Sequence, residues 1–418
     1  MLSLLVSAPA LAGGGGAPAA GSAPQFARPL WTARVDPGSG IEGGGYFGVY
    51  AIQNRYLVGL DHRTGRVKWR SATADRAGTP LLQWPNLVAS HLGGSVAAYD
   101  ALTGKERWSI GGGNGPVRLA DGPSTGASSS AVLALGQQIG LALGDLTGNL
   151  LWRVDAVSGE HTVSAVPTSS GPTLILHSPS EGVLGNVYTA HDPGTGRELW
   201  RLRAGQGYLL GEEADHLVFD LRAWPNLLGE GGTVRAARVN KETGRREELT
   251  LRVGVPNVRE WWTGPGTLKL DGAGGTWALA VRVRGEGAVR LIHTPARGQP
   301  RFWTLPGRET QMGGAGLRLT SRGALAGLPD GHVVLIDPER GTRRTVLPPG
   351  GGVPTISERW GGARAIVRAD QTVFLDDDER IRLRIPGRVD DWTTGGDLQT
   401  VIVRRGQALS AYAWPGAR

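Results

Sequence analysis

The sequence predicts an all-β protein that is assembled from repeated units. Three observations support this prediction. A short phrase recurs along the chain, in which an apolar run ends in Asp, Thr-Gly follows, and Trp comes four residues after the Gly. The apolar runs favour strands, and no segment shows the periodicity of a long amphipathic helix. A unit of this length cannot bury its own apolar face, so the repeats must stack on one another.

The four clearest copies of the phrase lie in the first half of the chain, at 56–69, 96–108, 140–152 and 187–200. Their glycines, at positions 65, 104, 148 and 196, are separated by 39, 44 and 48 residues. Weaker copies surround Gly244, Gly298 and Gly341, and a last copy at 371–385 keeps the strand rhythm without the Gly. The period indicates one continuous repeat domain.

Each copy predicts two strands joined by a tight turn. The oxygens of Asp and Thr accept hydrogen bonds from nearby backbone N–H groups, and Gly tolerates a positive φ. The chain then reverses into a strand that carries the Trp. Because an indole has a large flat surface to bury, the recurring Trp is expected to separate neighbouring units.

The two ends of the chain complement each other. Trp31 precedes Trp69 by 38 residues, which is one period, but no strand-like partner precedes it. The last strand-like stretch stops at Trp414 with no strand after it. We therefore expect the amino-terminal strand to complete the unit that the carboxyl terminus begins. Such pairing removes open sheet edges that favour aggregation.

The phrase resembles the repeat of the quinoprotein-like (PQQ-type) β-propellers, and the resemblance extends from about residue 30 to the end. It implies a single β-propeller of four-stranded blades, most simply eight, with seven to nine allowed by the period. It also implies that the repeat residues dock one blade on the next. These structural residues are Asp61, Thr64, Gly65, Trp69, Asp100, Thr103, Gly104, Trp108, Thr147, Gly148, Trp152, Asp192, Thr195, Gly196 and Trp200.

The amino terminus predicts export. Residues 1–12 contain a short apolar core and a small-x-small cleavage pattern, although the positively charged start of a signal is missing. Residues 13–27 are rich in Gly, Ala and Pro and predict a flexible segment, and residues 28–418 form the predicted propeller. We expect a periplasmic or cell-envelope protein. No later segment has the roughly 20 apolar residues of a membrane span.

The charge balance is basic, with 45 Lys and Arg against 37 Asp and Glu and a formal net charge of +8. The residue after Thr-Gly is a cation in four copies: Arg66, Lys105, Arg197 and Arg245. Repeat symmetry would place these cations on one face, where they would attract an anionic polymer or an acidic partner. The alternative is that solvated turns simply favour charged residues. No motif typical of nucleic-acid binding is present.

The sequence predicts no catalytic, cofactor-binding or metal-binding residue. The eight His form no zinc motif, no Gly-x-Ser-x-Gly elbow occurs, and the acidic run 376–379 is interpreted as a solvated turn. Quinoprotein alcohol dehydrogenases hold PQQ on the propeller axis with a calcium ion, an Asp base and Glu and Asn ligands, commonly beside a disulfide of adjacent Cys. This chain has no Cys, and those ligands map onto none of its motifs. PQQ and calcium therefore have no predicted site.

In size the chain is closer to the BamB-type accessory propellers of the outer-membrane assembly machine, which are non-catalytic and bind a partner through loops on one face. The lipid-anchor Cys of those proteins is absent here. The sequence thus favours a monomeric exported scaffold that binds envelope or outer-membrane proteins. Trp261 and Trp262, in the longest interval between repeats, are further candidates for its partner surface. The alternatives are a binding module for an anionic polymer or small ligand, and a PQQ-dependent oxidoreductase.

Overall fold

The computed structural model describes residues 26–415, except for short stretches within that range. The residues outside the description are 46–47, 73–80, 85–86, 93–94, 112–117, 125–129, 136–138, 144–149, 156–161, 167–172, 180–185, 193–194, 206–207, 214, 222–227, 255–260, 263–267, 271–274, 283–288, 306–315, 321, 329, 361–362 and 396–398, together with both chain ends. The predicted export segment 1–12 lies outside the described residues, as does most of the flexible segment 13–27.

The described residues form strands and no helix, as the repeats predicted. The strands of the first half, in chain order, are β1 (Trp31–Arg34), β2 (Glu42–Gly45), β3 (Gly48–Gln53), β4 (Tyr56–Leu60), β5 (Val67–Ala72), β6 (Leu81–Trp84), β7 (Leu87–Leu92), β8 (Ser95–Asp100), β9 (Glu106–Gly111), β10 (Arg118–Ser124), β11 (Ser130–Leu135), β12 (Ile139–Leu143), β13 (Leu150–Asp155), β14 (Thr162–Val166), β15 (Thr173–Pro179), β16 (Asn186–His191) and β17 (Glu198–Gly205).

The remaining strands follow the same rhythm to the carboxyl terminus. They are β18 (Leu209–Glu212), β19 (His216–Asp220), β20 (Thr233–Asn240), β21 (Arg246–Arg252), β22 (Trp261–Trp262), β23 (Leu268–Leu270), β24 (Thr276–Arg282), β25 (Val289–Thr294), β26 (Arg301–Thr304), β27 (Gly316–Thr320), β28 (Gly323–Gly327), β29 (Val333–Asp337), β30 (Thr342–Leu347), β31 (Thr355–Trp360), β32 (Ala363–Val367), β33 (Gln371–Leu375), β34 (Ile381–Pro386), β35 (Asp391–Thr394), β36 (Thr400–Arg405) and β37 (Ala408–Ala413).

The described strands form nine antiparallel sheets, numbered here in chain order. Sheet 1 contains β2–β5, sheet 2 β6–β9, sheet 3 β10–β13, sheet 4 β14–β17, sheet 5 β18–β21, sheet 6 β22–β26, sheet 7 β27–β30, sheet 8 β31–β34, and sheet 9 β35–β37 with β1. Eight have four strands. Sheet 6 has five because β22 and β23 both pair with β24. The description thus contains one sheet more than the eight that the sequence favoured.

The first strand of the chain lies in the last sheet. In β1, Trp31 is opposite Ala411 and Arg34 is opposite Ala408, so β1 is the outer neighbour of β37. The backbone N–H of Leu30 also donates to the oxygen of Ala411, at 2.7 Å. One sheet therefore joins the two ends of the chain, and the edge of β37 is covered.

The core lies between sheets and not within any one of them. Apolar side chains from sheets 1 and 2 form one buried cluster, and comparable clusters lie between sheets 4 and 5, 5 and 6, 6 and 7, 7 and 8, 8 and 9, and 9 and 1. The first strands of most neighbouring sheets contact one another, which makes them the inner strands. This is the stacking that the repeat requires, since one sheet cannot bury both of its faces alone.

The turns after the third strand of each sheet share one face of the molecule. Successive antiparallel strands alternate in direction, so the first and third turns of a four-stranded sheet lie at the same end. Because the sheets stack side by side in the same order, these ends fall on one side of the molecule. We call this side the repeat-turn face, and it carries the turns at 61–66, 100–105, 192–197, 240–245, 337–342 and 376–380.

Candidate functional site

The turn of the first repeat is held by the side chains that the phrase specifies. Oδ1 of Asp61 accepts hydrogen bonds from the backbone N–H groups of Arg63 and Thr64, at 3.0 and 2.9 Å, and from the hydroxyl of Thr64, at 3.1 Å. The Thr64 hydroxyl oxygen in turn accepts from the N–H of Arg66. The backbone N–H of Gly65 donates to the oxygen of Asp61 at 2.8 Å. The turn is thus closed by its own residues.

Three other turns on the repeat-turn face have the same geometry. The side chains of Asp100 and Asp192 each accept from the N–H and the hydroxyl of the Thr three residues later. In sheet 5, Asn240 takes the place of Asp and makes equivalent hydrogen bonds to Thr243. The four turn glycines have φ angles between 66° and 70°. A positive φ of this size is the conformation in which Gly is favoured.

Three Trp residues reach across to the next sheet by the same hydrogen bond. The indole Nε1 of Trp31 donates to the backbone oxygen of His62 at 2.9 Å. Trp69 donates to Ala101 at 3.0 Å, and Trp200 donates to Lys241 at 2.9 Å. The acceptor always belongs to the residue that follows the turn Asp or Asn. The Trp of one sheet is therefore fixed to the turn of its neighbour by the same hydrogen bond in three places.

The turn glycine is also the surface on which the indole lies. A Cβ added to Gly65 would come within 2.6 Å of the ring of Trp31. A Cβ on Gly104 would overlap the ring of Trp69, and one on Gly244 would overlap Trp200. The Gly is needed twice at each turn, once for its φ and once for the close approach of the Trp. Trp69 and Trp200 are only 9% and 7% exposed as a result.

The remaining repeat residues fall partly outside the description. Trp108 is buried, at 9% exposure, but its indole Nε1 donates to no described residue. Thr147 and Gly148 lie outside the described residues, as does the side chain of Trp152, whose backbone lies in β13. Sequence reasoning missed the small residue that lies opposite each Trp on the neighbouring strand. Gly59, Ala98, Ala142 and Ala190 occupy this position in the four copies.

Sequence reasoning also missed how sheets without a repeat Trp are joined. In sheet 6, the guanidinium of Arg301 donates to the oxygen of Pro338, the residue after the turn Asp of sheet 7. In sheet 7, Arg344 Nη2 donates to the oxygen of Glu379 in the turn of sheet 8, at 2.5 Å. Arg301 thus makes the hydrogen bond that Trp makes elsewhere. A long side chain with an N–H donor at the start of the outer strand is the sequence signal that would have identified this contact between sheets.

The turn carboxylates are strongly acidic. Partial burial raises the pKa of Asp61, but hydrogen bonds from Lys68, Thr64 and Arg63 outweigh this effect and hold the pKa at about 2. For Asp100, hydrogen bonding to Arg107 is the largest influence, and with the bonds from Thr103 it lowers the pKa to about 2. These groups are therefore ionised at neutral pH, and each is paired with a cation of its own sheet.

The four predicted turn cations occupy equivalent positions. The backbone N–H groups of Arg66, Lys105, Arg197 and Arg245 each donate to the hydroxyl oxygen of the preceding repeat Thr, at 3.3–3.4 Å. Their side chains are exposed. Within the described part of the chain, none of these four side chains forms an ion pair or hydrogen bond. They lie together on the repeat-turn face.

The second part of the predicted partner surface needs correction. Trp261 is only 4% exposed and packs in the apolar cluster between sheets 5 and 6, with the guanidinium of Arg290 5.4 Å from its ring centre. An indole in this position joins two sheets and is not available to a partner. Its β-strand pairing with β24 explains the burial, which the long interval between repeats concealed. The side chain of Trp262 lies outside the described residues.

The acidic run 376–379 is used inside its own turn. Asp376 accepts from the backbone N–H groups of Asp378 and Arg380, both at 2.9 Å. Asp378 pairs with Arg322 of sheet 7, and the buried Glu379 lies 3.6 Å from Arg364. Among the described residues, no three His, Cys, Asp or Glu are grouped so that they could hold a metal ion.

Comparisons with known proteins agree with the repeat. A family model described as "Outer membrane protein assembly factor BamB" matches residues 24–153, which begin before β1 and end within β13. Over these residues the chain resembles the BamB family of PQQ-like repeat propellers. The match covers the stretch that contains three of the four clearest copies of the phrase. The search of curated proteins gave no match.

Solved structures to which the chain is similar include BamB from Moraxella catarrhalis, which is 14% identical, with a TM-score of 0.46, 93% of this chain covered and 100% of that chain. The computationally designed Ika8 protein is 14% identical, with a TM-score of 0.47 and coverage of 80% and 95%. AztD from Citrobacter koseri, in its apo form, is 13% identical, with a TM-score of 0.42 and coverage of 92% and 98%. In the described residues, no helix has the length and apolar character needed to cross a membrane.

Proposed function

We propose that this chain is a non-catalytic, exported scaffold that binds other proteins of the cell envelope and acts in outer-membrane protein assembly. The observation that carries the proposal is the match of the BamB family model to the first repeats. The role in assembly is the one that the name of that family states. Propellers also host enzymes, so the fold by itself does not decide between these functions.

The use of the repeat residues supports the scaffold. The Asp, Thr, Gly and Trp of each described copy hold a turn and dock it on the neighbouring sheet. Their polar groups are occupied by these contacts, which gives a stiff frame. Loops on a rigid frame are where binding residues usually lie. The exposed residues of the repeat-turn face are thus positioned by the frame without being needed to build it.

The proposal is tested by site-specific crosslinking with the full chain in the cells that express it. A photo-crosslinking residue replaces Lys105 on the repeat-turn face, and in a second variant it replaces Arg388, which is exposed at the opposite end of sheet 8. We expect discrete crosslinks to an envelope protein from the first position only. A parallel thermal-shift titration uses PQQ with calcium.

Each outcome bears on the choice between scaffold and enzyme. A protein crosslinked at 105 and not at 388, together with an unchanged melting temperature in PQQ and calcium, supports the scaffold. A saturable, calcium-dependent shift with PQQ and no crosslinked protein would overturn it in favour of an oxidoreductase. Fractionation of the same cells tests export, because a scaffold of the envelope must be recovered outside the cytoplasm.

A further inference from the structure

Four cations that have no ion-pair partner among the described residues form a row along the repeat-turn face. We define the cationic row as Arg66, Lys105, Arg197 and Arg245, which belong to sheets 1, 2, 4 and 5. All four follow the positive-φ glycine of their turn, so the fold repeats the same placement. Exposed charges of one sign that face solvent together attract a partner of opposite sign. The same turn position recurs in four sheets, so the row is a feature of the fold and not of one loop, although the sequence has Asn149 at this position in sheet 3.

The Asp residues in three of these turns do not neutralise this row. The carboxylates of Asp61, Asp100 and Asp192 accept hydrogen bonds from their own turns. The first two also pair with cations farther along their outer strands, Lys68 at 3.2 Å and Arg107 at 2.6 Å. The Asp carboxylate of each of these turns is therefore occupied within its own sheet, and the cation after Gly faces solvent. The row keeps its charge as a consequence of the turn geometry.

Exposed apolar side chains lie beside the row. Leu102 is 60% exposed in the turn of sheet 2, three residues before Lys105. Val67 is 43% exposed and directly follows Arg66. Ala101, the neighbour of Leu102, receives the indole hydrogen bond of Trp69 from sheet 1, so Leu102 lies near the junction of these two sheets. Cations and apolar side chains are thus mixed at one part of the face.

Farther round the same face, the turn charges are compensated. In the turn of sheet 8, Asp376 pairs with Arg382, Asp378 pairs with Arg322, and the buried Glu379 lies beside Arg364. In the turn of sheet 7, Asp337 lies 3.8 Å from Arg340. The cationic row therefore gives an acidic partner a preferred site on sheets 1, 2, 4 and 5.

We propose that the cationic row, with Leu102 and Val67, docks an acidic segment of a protein partner that also carries apolar side chains. The inference deepens the proposed scaffold function and rests on it. A protein segment is favoured over an anionic polymer because polyphosphate and similar polymers offer no apolar group to cover Leu102. Apolar contacts of this kind supply affinity, while the cations guide encounter and orientation.

The test compares charge reversals that change the net charge equally. Two variants reverse the row, Arg66→Glu with Lys105→Glu and Arg197→Glu with Arg245→Glu. The matched control is Arg252→Glu with Arg388→Glu, two exposed cations at the opposite ends of the outer strands, which form no ion pair among the described residues. The probe is a labelled peptide of about twelve residues that alternates Glu with Leu. Its dissociation constant is measured by fluorescence anisotropy in low and physiological salt, and sodium polyphosphate is the competing probe.

We expect each reversal in the row to weaken peptide binding by about tenfold at low salt and less at physiological salt, since exposed charges are screened. The control should change binding less than about twofold. Leu102→Ser should weaken binding of the Glu–Leu peptide without changing that of polyphosphate. These variants lie at the surface, and a melting curve verifies that each is folded.

Three results would overturn the inference. Equal loss in the row and control variants would mean that net charge alone attracts the peptide. Tight polyphosphate binding that ignores Leu102→Ser, with weak peptide binding, would assign the row to a polymer. A crosslinked envelope partner that survives both row reversals in cells would leave the scaffold intact and place its docking site elsewhere. The two proposals therefore fail separately.

Discussion

At the scale of single residues, the repeat phrase is a set of contacts between sheets. The Trp donates its indole N–H to the turn of the next sheet, and the turn Gly provides the flat surface beneath it. Both roles exclude a side chain on the Gly. The Asp and Thr fix the turn so that its carbonyl stays in place for the indole. The residues of the phrase thus dock one sheet on the next and do not form a binding site.

Gly104→Ala measures how much the contact between the turn Gly and the Trp of the neighbouring sheet contributes to stability. The new methyl group meets both a φ of 69° and the ring of Trp69, so we expect a loss of about 3 kcal/mol in the free energy of unfolding. Gly341→Ala is the matched control, since Gly341 has a φ of 65° but no atom within 4 Å of its added Cβ. It should lose only about 1 kcal/mol. Equal losses in urea denaturation would show that the Trp contact contributes nothing.

His332 makes the free energy of unfolding depend on pH. It is 7% exposed, and neither ring nitrogen has a partner among the described residues. Burial lowers its pKa below the usual 6.5. The unfolded chain therefore binds the proton more readily than the folded chain, and stability falls as the pH drops through about 6.5. Unfolding free energies of wild type and His332→Gln are measured above and below this value, and wild type should lose stability relative to the variant as the pH falls. A constant difference would contradict the assignment.

At the scale of elements, one turn type serves several sheets with different side chains. Asn240 makes in sheet 5 the hydrogen bonds that Asp makes in sheets 1, 2 and 4. In sheet 8, Asp376 keeps the role of acceptor although Glu379, with a φ of 54°, stands where other turns have Gly. The turn therefore requires an acceptor at its first position and tolerates variation after it.

Asp100→Asn tests this reading of the turn. Because the amide oxygen keeps the acceptor, the variant should fold, whereas Asp100→Ala loses the turn bonds and about 1 kcal/mol or more. The pKa of Asp100 is lowered to about 2 from 3.8. Its charge therefore stabilises the fold above about pH 4, and this contribution is lost as the pH falls towards 2. The asparagine variant should lack that part of the acid dependence. The unfolding free energies of wild type and Asp100→Asn are measured by circular dichroism between about pH 2 and pH 7. Parallel curves for the two proteins would contradict this prediction.

The sequence predicted these elements where the phrase is intact. The strands, the Asp–Thr–Gly turns and the pairing partner of β1 all follow from the period and from turn chemistry. It could not predict Arg301, because a guanidinium reaches a carbonyl of another sheet through contacts that leave no local pattern. Trp261 was assigned to the surface because it lies in the longest interval between repeats. Spacing between repeats does not reveal that β22 pairs with β24 and buries the indole.

At the scale of the whole molecule, stability depends on continuity from sheet to sheet. Each apolar cluster is shared by two sheets, so a sheet that lost its neighbour would expose one face. The sheet that joins the ends is a special case, because its outer strand β1 is far from the others in sequence. Trp31 of β1 also donates to the turn of sheet 1. The short first strand therefore fixes sheet 9 on one side and docks sheet 1 on the other.

Removal of residues 1–35 tests this role, with removal of residues 1–25 as the matched control. The longer deletion takes away β1, its hydrogen bonds to β37 and the Trp31 contact with Gly65. We expect a loss of about 3 kcal/mol or more, from about 1 kcal/mol for each backbone hydrogen bond. The exposed edge of β37 should also make the protein self-associate, which sedimentation velocity detects. The shorter deletion leaves sheet 9 complete and should remain monomeric with unchanged stability. If both deletions behaved alike, the two ends of the chain would not depend on each other, because β1 would then be dispensable to the sheet that joins them.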